Sequence, residues 1–450
     1  TVERYTFNED LPPGFFGGRE VVLAAGPEAL ADYEFEEGLF HGMDDVDLAP
    51  GTDPGTLEAV DVEAIAGSII RQRYLRGISR FRAFASSGSD IVRYDRAQGL
   101  VLGVGASVGI GGGELYGHGG YAWGPATPVA TLGWQPAGRP RGITGFGRAY
   151  LNDPVDLGLR PAAAGGIATL SAVVLGRDLR DVAPTTGVEL GLVLGGGRAD
   201  RVEASLLLER RSGWDRQVRH APFDEGTMFR SVPPLEEVGR GALRLRYGRR
   251  GYLGPFATRW EPEIEAGTVF RWTESGSGPP QVVGPWTALS RETGAFARAR
   301  IHGTATWSDA RRRTGVAFRA TVGLNVGATP YQHLWYLGGR NTLPGHPLHG
   351  YAGDQAAVAD VTLWRTVVPR LVRLRAFAGV GWAEMDTDPP TPTDPALRTW
   401  APGPSDGLRS SVGLGLGLID GILHLDYGLR TDTWDGVLFL SVEPSLWSFL

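Results

Sequence analysis

The feature that most constrains this chain is alternation: segments of about ten residues switch between apolar and polar side chains at every step and are separated by turn residues. A strand sends successive side chains to opposite faces, so each segment can be sorted by face. In Ser411 to Leu418 one face is Val412, Leu414, Leu416 and Leu418, and the other is Ser411, Gly413, Gly415 and Gly417. Farther on, Leu423, Leu425, Tyr427 and Leu429 oppose His424, Asp426, Gly428 and Arg430. Near Thr258 the apolar set is Trp260, Ile264, Ala266, Phe270 and Trp272, against Arg259, Glu261, Glu263, Glu265 and Arg271. Arg298, Arg300 and His302 share a face opposite Ala297, Ala299 and Ile301, and Arg373 and Arg375 lie opposite Val372, Leu374 and Ala376.

A soluble sandwich with one wet face also alternates. Two features favour a transmembrane barrel instead. The apolar faces end in aromatic residues (Trp260, Trp272, Trp307, Trp382, Tyr247), as interfacial girdles do. Short links (Gly111–Gly113, Pro136–Pro140, Gly196–Asp200, Arg249–Pro255, Ser308–Arg311, Val368–Arg370, Asp420–Gly421) take turns with long ones (Leu151–Pro184, Ser212–Glu237, Thr273–Pro285, Gly327–Asp354, Glu384–Asp406). That asymmetry fits short periplasmic turns and long outer loops. About fifteen strands follow Gly99, and parity then requires one more before it; Ile78–Phe84 supplies it, for an all-β antiparallel barrel of about sixteen strands. Transmembrane helices are excluded: Pro161–Gly176 is too short, and Ala320–Gly339 carries Asn325, Pro330, Gln332 and His333.

Composition agrees. Gly contributes 67 of 450 residues, which disfavours a helical protein. The net charge of -6 gives no footprint for nucleic acid, and with no Cys there is neither a disulfide framework nor a thiolate metal site. Residues 1–77 differ from the rest: acidic, with PPG and PGTDPG, then Leu57, Val60, Ile65, Ile69, Ile70 and Tyr74 at helical spacing after Thr56. They read as a periplasmic arm or plug with one helix, leaving 78–450 as the barrel. The acidic opening from Thr1 has no charged and apolar leader pattern, so the expectation is that any leader has been removed.

Motifs for chemistry are weak. Gly105–Gly109 satisfies G-x-S-x-G, but Ser107 lies inside an alternating strand and not on a strand-to-helix elbow. His333, His346 and His349, with Asp354, have a spacing that a folded loop could turn into a metal site, although loop histidines are more often solvated or packed on aromatics. The chain is therefore read as a non-enzyme with no cofactor and no committed metal site. The inward faces mix Arg244, Arg246, Arg259, Arg271, Arg298, Arg300, Arg319, Arg373, Arg375 and Arg430 with Glu203, Glu209, Glu261, Glu263, Glu265, Asp360 and Asp426. Mixed signs favour cross-strand pairs over a single-sign selectivity ring.

With five strands left after it, LGGRNTLPGHPLHGY (Leu337–Tyr351) resembles the sixth outer loop of the bacterial surface antigen superfamily, the BamA-like outer-membrane assembly factors and two-partner-secretion transporters. RLRAFAGVGW ending at Trp382, SSVGLGLGL and HLDYGLR carry the same resemblance, over the C-terminal half. It implies a bacterial outer-membrane protein that contacts lipid and handles or translocates polypeptide with a separate periplasmic or envelope partner, since 1–77 shows no repeated client-binding module. The alternative is a non-enzymatic scaffold or docking barrel. The family's loop Arg pairs with an Asp on the next strand, and here Pro344 and Gly379 stand at those places. The expectation is then a loop without an Arg–Asp lock, held by turns at Gly338, Gly339, Gly345 and Gly350 and by packing of Tyr351, with Arg340 exposed. The rival is a relocated lock from Arg340 to Asp360 or Glu265.

Overall fold

The computed structural model describes residues 81–442 except 84, 86, 111, 137–141, 162, 164, 196–199, 234, 236, 272–292, 310, 370, 386–401 and 420–421. These belong to the second of two compact units, Ser79–Leu450. The arm or plug read at 1–77, with its helix, lies outside the described residues, as does Trp272.

The chain begins with β1 (Phe81–Ala83), α1 (Gly88–Ile91) and β2 (Val92–Asp95). β3 (Gly99–Ile110), β4 (Gly113–Ala122), β5 (Thr127–Pro136) and β6 (Gly142–Asp156) lead to α2 (Gly165–Leu175). β7 (Val182–Gly195) and β8 (Asp200–Arg211) follow, then a small ribbon of β9 (His220–Ala221) and β10 (Asp224–Met228). β11 (Val238–Leu253), β12 (Phe256–Arg271), β13 (Gly294–Asp309) and β14 (Thr314–Gly327) precede a second ribbon, β15 (Trp335–Leu337) with β16 (Tyr351–Gly353). The chain closes with β17 (Gln355–Val368), β18 (Val372–Glu384), β19 (Arg409–Leu418), β20 (Leu423–Arg430) and β21 (Gly436–Val442).

β1 and β2 pair with opposite ends of β3, at Phe81↔Val108 and Val92↔Leu102, so together they form one strand interrupted by α1. From β3 onward every long strand pairs antiparallel with the next, β8 passing to β11 and β14 to β17 over the two ribbons. The result is the expected meander of sixteen strands. Its inner face is charged and its outer face apolar: Leu243 and Leu245 are exposed while Arg244 between them is buried, and Ile264 is exposed beside buried Glu265. Phe270, read as an outward residue, is covered because its ring lies over Gly239 of the neighbouring strand. The same device seats Trp260 over Gly303, an aromatic filling the trough left by a strand glycine.

The inner wall is held by ion pairs between strands. Arg240 on β11 bonds Glu209 on β8 (2.6 Å) and Glu265 on β12, and Tyr150 adds its hydroxyl to Glu209. Arg148 and Arg244 share Glu189, and Arg246 meets Glu263 at 2.6 Å. The mixed inward charges therefore pair as read, with Arg240, Glu189 and Arg148 added to the set.

The end loops need two corrections. The ladder between β6 and β7 runs on to Asp156↔Val182 past a bulge at Asn152 (φ 51°), so the long link read as Leu151–Pro184 shortens to 157–181. At the short-turn end, β11 and β12 pair out to Leu253↔Phe256, so the link read as Arg249–Pro255 is only a two-residue turn. Three connections on the long-loop side, 96–98, 123–126 and 431–435, are themselves short.

Helix α2 was not foreseen in Pro161–Gly176. It ends at Gly176 (φ 63°), a left-handed position that stops a helix without Cβ strain. Among the described residues no ladder joins the first strand to β21. Helix α2 touches both: Tyr94 N donates to Thr169 Oγ1 (3.1 Å), and Arg177 Nη1 donates to the Leu438 carbonyl on β21 (3.1 Å). It thereby covers sheet edges whose backbone groups would otherwise lack partners.

The fold makes one direct prediction. In a semi-native gel, unheated protein in mild detergent should migrate differently from the boiled protein, and each species should convert to the other only through heating or refolding. Identical mobility before and after boiling, or recovery as a soluble monomer without detergent, would contradict a closed membrane barrel.

Candidate functional site

The connection 328–354 does not stand away from the sheet. After the ribbon of β15 and β16 it turns inward, and Leu337, Leu343 and Tyr336 are fully buried. Its bends are backbone turns: Gly339 N donates to His346 O (3.2 Å), Leu343 N to Gly339 O (2.9 Å) and Gly350 N to Pro347 O (3.0 Å). Gly338 (φ 110°), Gly339 (φ 84°) and Gly345 (φ 91°) hold conformations that L side chains resist. The tip rests on inward-facing glycines of the wall. A side chain at Gly381 would press on Leu343, and one at Gly428 would run into Pro344.

Charge completes the attachment. Arg340 Nη2 lies 2.9 Å from Asp426 Oδ2 on β20, and Arg375 Nη1 from β18 lies 2.9 Å from both oxygens of the same carboxylate. Arg375 reaches Asp426 across Gly415 of β19, where any side chain would collide with the carboxylate. The expectation of an exposed Arg340 and no lock is thus overturned. The loop is held by the turns as read and by Tyr351, half-buried beside His346 with Arg409 over its ring (5.6 Å), but a lumenal Arg–Asp lock is present as well. Its acid is neither Asp360 nor Glu265. A lysine-free chain with Arg at 340 can reach a carboxylate on β20, and Asp426 is the inward acid opposite the turn.

Asp360 does related work. It is the direct partner of Gly379 on the ladder between β17 and β18, so a carboxylate sits one strand away from the vacated position. It receives Arg319 (2.8 Å) from β14 and Arg160 from the connection 157–181. Arg160 also donates to the Asn341 carbonyl (3.0 Å) and to Thr321 Oγ1 (2.7 Å). The inward loop is therefore tied directly to Asp426 and, through Arg160 of a second loop, to Asp360.

A third group lies in the outer connections. Asp181 is fully buried and meets Arg96 from the turn after β2, Arg230 (2.9 Å) from the connection 212–237, and His349 Nδ1 (2.7 Å) from the inward loop. Arg96 also takes Asp178 at 2.7 Å. Four connections are joined at one carboxylate. Burial alone would push the Asp181 carboxyl up, and Arg230, Arg96 and His349 more than offset it, holding it well below the usual carboxylate range.

The histidines go to separate partners. His346 Nε2 donates to the Ser410 carbonyl (3.0 Å), leaving Nδ1 to accept from the Tyr351 hydroxyl (3.0 Å). His349 is committed to Asp181, and His333 is buried against Phe296 with neither ring nitrogen bonded among the described residues. No group of three potential metal ligands converges among the described residues. Ser107 lies within β3, as its alternating surroundings implied.

No protein-family model matches the chain, and no curated protein matches it. Among solved structures it is similar to BamA from Haemophilus ducreyi lacking POTRA domains 1-3 (13% identity over 78% of this chain and 67% of that one, TM-score 0.46). It is also similar to CdiB from Escherichia coli (13% identity, 88% and 70%, TM-score 0.40) and to CdiB from Acinetobacter baumannii (12% identity, 78% and 58%, TM-score 0.39).

The charges make three predictions. Asp426→Ala takes away the carboxylate that Arg340 and Arg375 share and should cost about 3–5 kcal/mol. Arg340→Ala leaves Arg375 on the acid and should cost about 1.5–3 kcal/mol, the worth of a charged hydrogen bond; denaturant titration in micelles, read by semi-native gel, measures both. A change below about 1 kcal/mol for Arg340→Ala would return that residue to an exposed role. For Asp181, a depressed folded pKa means that its contribution is complete above the unfolded value of about 3.9 and is lost only as pH falls through the folded one. Between pH 7 and pH 5 Asp181 therefore adds no change of its own to hydrogen exchange of the outer connections, corrected for intrinsic rates. Asp181→Asn should raise it at both.

Proposed function

We propose that this chain is a bacterial outer-membrane barrel of the polypeptide-handling kind, working with a separate protein partner and carrying out no covalent chemistry. The observation that carries this reading is the inward loop locked by Arg340 to Asp426. A barrel that must stay sealed at rest and yield to a chain needs a releasable plug, and a loop tied to the wall by a charged lock is suited to that. The lock also supports the resemblance drawn from Leu337–Tyr351, with the acid moved from the position of Gly379 to β20. The membrane placement is supported by the apolar outer face and by aromatic residues at its two ends, such as Trp260 and Trp307 toward the short turns and Tyr121 with Trp123 (5.2 Å) toward the loops.

A second reading, an envelope scaffold, draws on the group at Asp181, because four joined connections make a rigid outer cap and a docking surface. The two differ in what occupies the lumen. A photo-crosslinking residue in place of inward-facing Thr304 should capture extended polypeptide in native outer membrane if the first reading holds. It should capture none, while outer-loop positions capture one stable partner, if the protein is a scaffold. In planar bilayers the wild-type protein should conduct little, and Asp426→Ala should raise steady conductance; an open wild-type channel would sink the plug reading.

A further inference from the structure

Behind α2 lies a cavity of about 350 Å³, within the range of about 300–1,000 Å³ of small-ligand sites. It runs between the helix, the inward loop and β21, beneath the connection that carries Phe229. Its walls are mostly apolar: Ile167, Leu175, Leu179, Phe229, Leu348 and Phe439. It also passes around the edge of β21. Phe439 on the inward face and Leu438 on the outward face both line it, so it links the space behind the wall to the wall's lipid-facing side.

We propose that this cavity holds one acyl chain of a membrane lipid or free fatty acid whose anionic head rests on Arg177. Three observations converge. The exposed outer side of α2 (Leu170, Val174, Leu175) lies beside exposed Val92 of β2 and Leu438 of β21, which the helix touches, so the mouth opens onto an apolar surface, the one that the proposed membrane placement puts in hydrocarbon. The Leu438 carbonyl at the edge of β21 is already taken by Arg177; a polypeptide strand would need it, and a hydrocarbon chain does not. Of the cations lining the cavity, Arg230 and Arg340 are neutralised by Asp181 and Asp426, while Arg177 is exposed and has no carboxylate partner among the described residues. An apolar bore with one unneutralised cation at its mouth matches an amphiphile with an anionic head.

The test is photolabelling of the full chain in dimyristoylphosphatidylcholine nanodiscs with a diazirine-bearing palmitic acid, with adducts mapped by peptide mass spectrometry. Adducts should concentrate on Leu179, Phe229 and Leu348, and excess unlabelled palmitate should compete them away on the wild-type protein. Ile167→Trp, which fills the bore, should lower them by about tenfold, the effect of losing about two buried methylenes. Leu414→Trp, on the outer face of β19, should leave them unchanged. Arg177→Gln should weaken labelling by the acid but not by its methyl ester, and heat-modifiable migration controls for folding in each variant. Adducts spread evenly over outward residues such as Leu243 and Leu414, as for boundary lipid, would overturn the proposal. So would insensitivity to competition, or protection of the cavity by a peptide, either from a client or from a segment of this chain. The site rests on the membrane placement proposed above and not on polypeptide handling; recovery of the protein without detergent would remove that placement before any labelling is read.

Discussion

A guanidinium carried into the lumen by a folded loop has to be met by a carboxylate, because an unpaired buried charge costs more than the turns of one loop can supply. Asp426 meets that need for Arg340, and the rest of the inner arrangement follows from it. Gly415 must be a glycine so that Arg375 can reach the same acid, and Gly428 must be one so that Pro344 can lie against the wall. The loop's own glycines set its bends, but the bends alone do not choose where it lies. The charges choose, since only one inward position on β20 presents an acid at the height of Arg340.

The outer connections use the same physics to a different end. Asp181 collects Arg96, Arg230 and His349 from three other connections, so any one of them that moves away weakens the hold on a buried carboxylate that the others share. The cap is cooperative for that reason. Arg160 couples it to the lumen, because this residue of the connection 157–181 bonds both Asp360 in the wall and Asn341 in the inward loop. From the same connection α2 reaches the two sheet edges through Thr169 and Arg177. A single stretch of chain therefore ties the two sheet edges, the outer connections and the inward loop together.

What could be read beforehand divides along a physical line. Alternation has a period of two residues and is written locally, so the strands and their faces were legible from the residues themselves; of the extra strand before Gly99 only β1 falls within Ile78–Phe84, while α1 and β2 were not read. The signs of the inward charges were legible too, and their mixture implied pairing. Partner choice was not. Asp426 lies 86 residues from Arg340, and Asp181 lies 85 from Arg96 and 168 from His349; no local pattern states which inward acid a loop will meet. The vacated positions at Pro344 and Gly379 therefore suggested that the lock was lost, when the acid had moved and a nearby Arg had taken up the contact. Helix α2 was missed for another reason. Its residues are apolar on nearly every side, which blurs helical periodicity, and much of its support comes from tertiary contacts. The one local signal was Gly176 followed by Arg177, a helix stop with a cation beside it.

The exclusive use of Arg among the basic residues now has a structural reason. In the inner wall one guanidinium often serves two acceptors on different strands: Arg240 bridges Glu209 and Glu265, and Arg160 spans Asp360, Thr321 and the Asn341 carbonyl. A planar fork of five donors can do this with its geometry fixed, whereas an ammonium is a single point with a larger hydration shell to lose. Lysine at Arg240 would keep the charge but satisfy its two carboxylates poorly, and lysine at Arg340 would lose the reach to Asp426 together with the contact to Asn341. Contacts that must hold in a wet lumen are better made from a few multivalent pairs than from many single ones, because each guanidinium ties several strands or loops together.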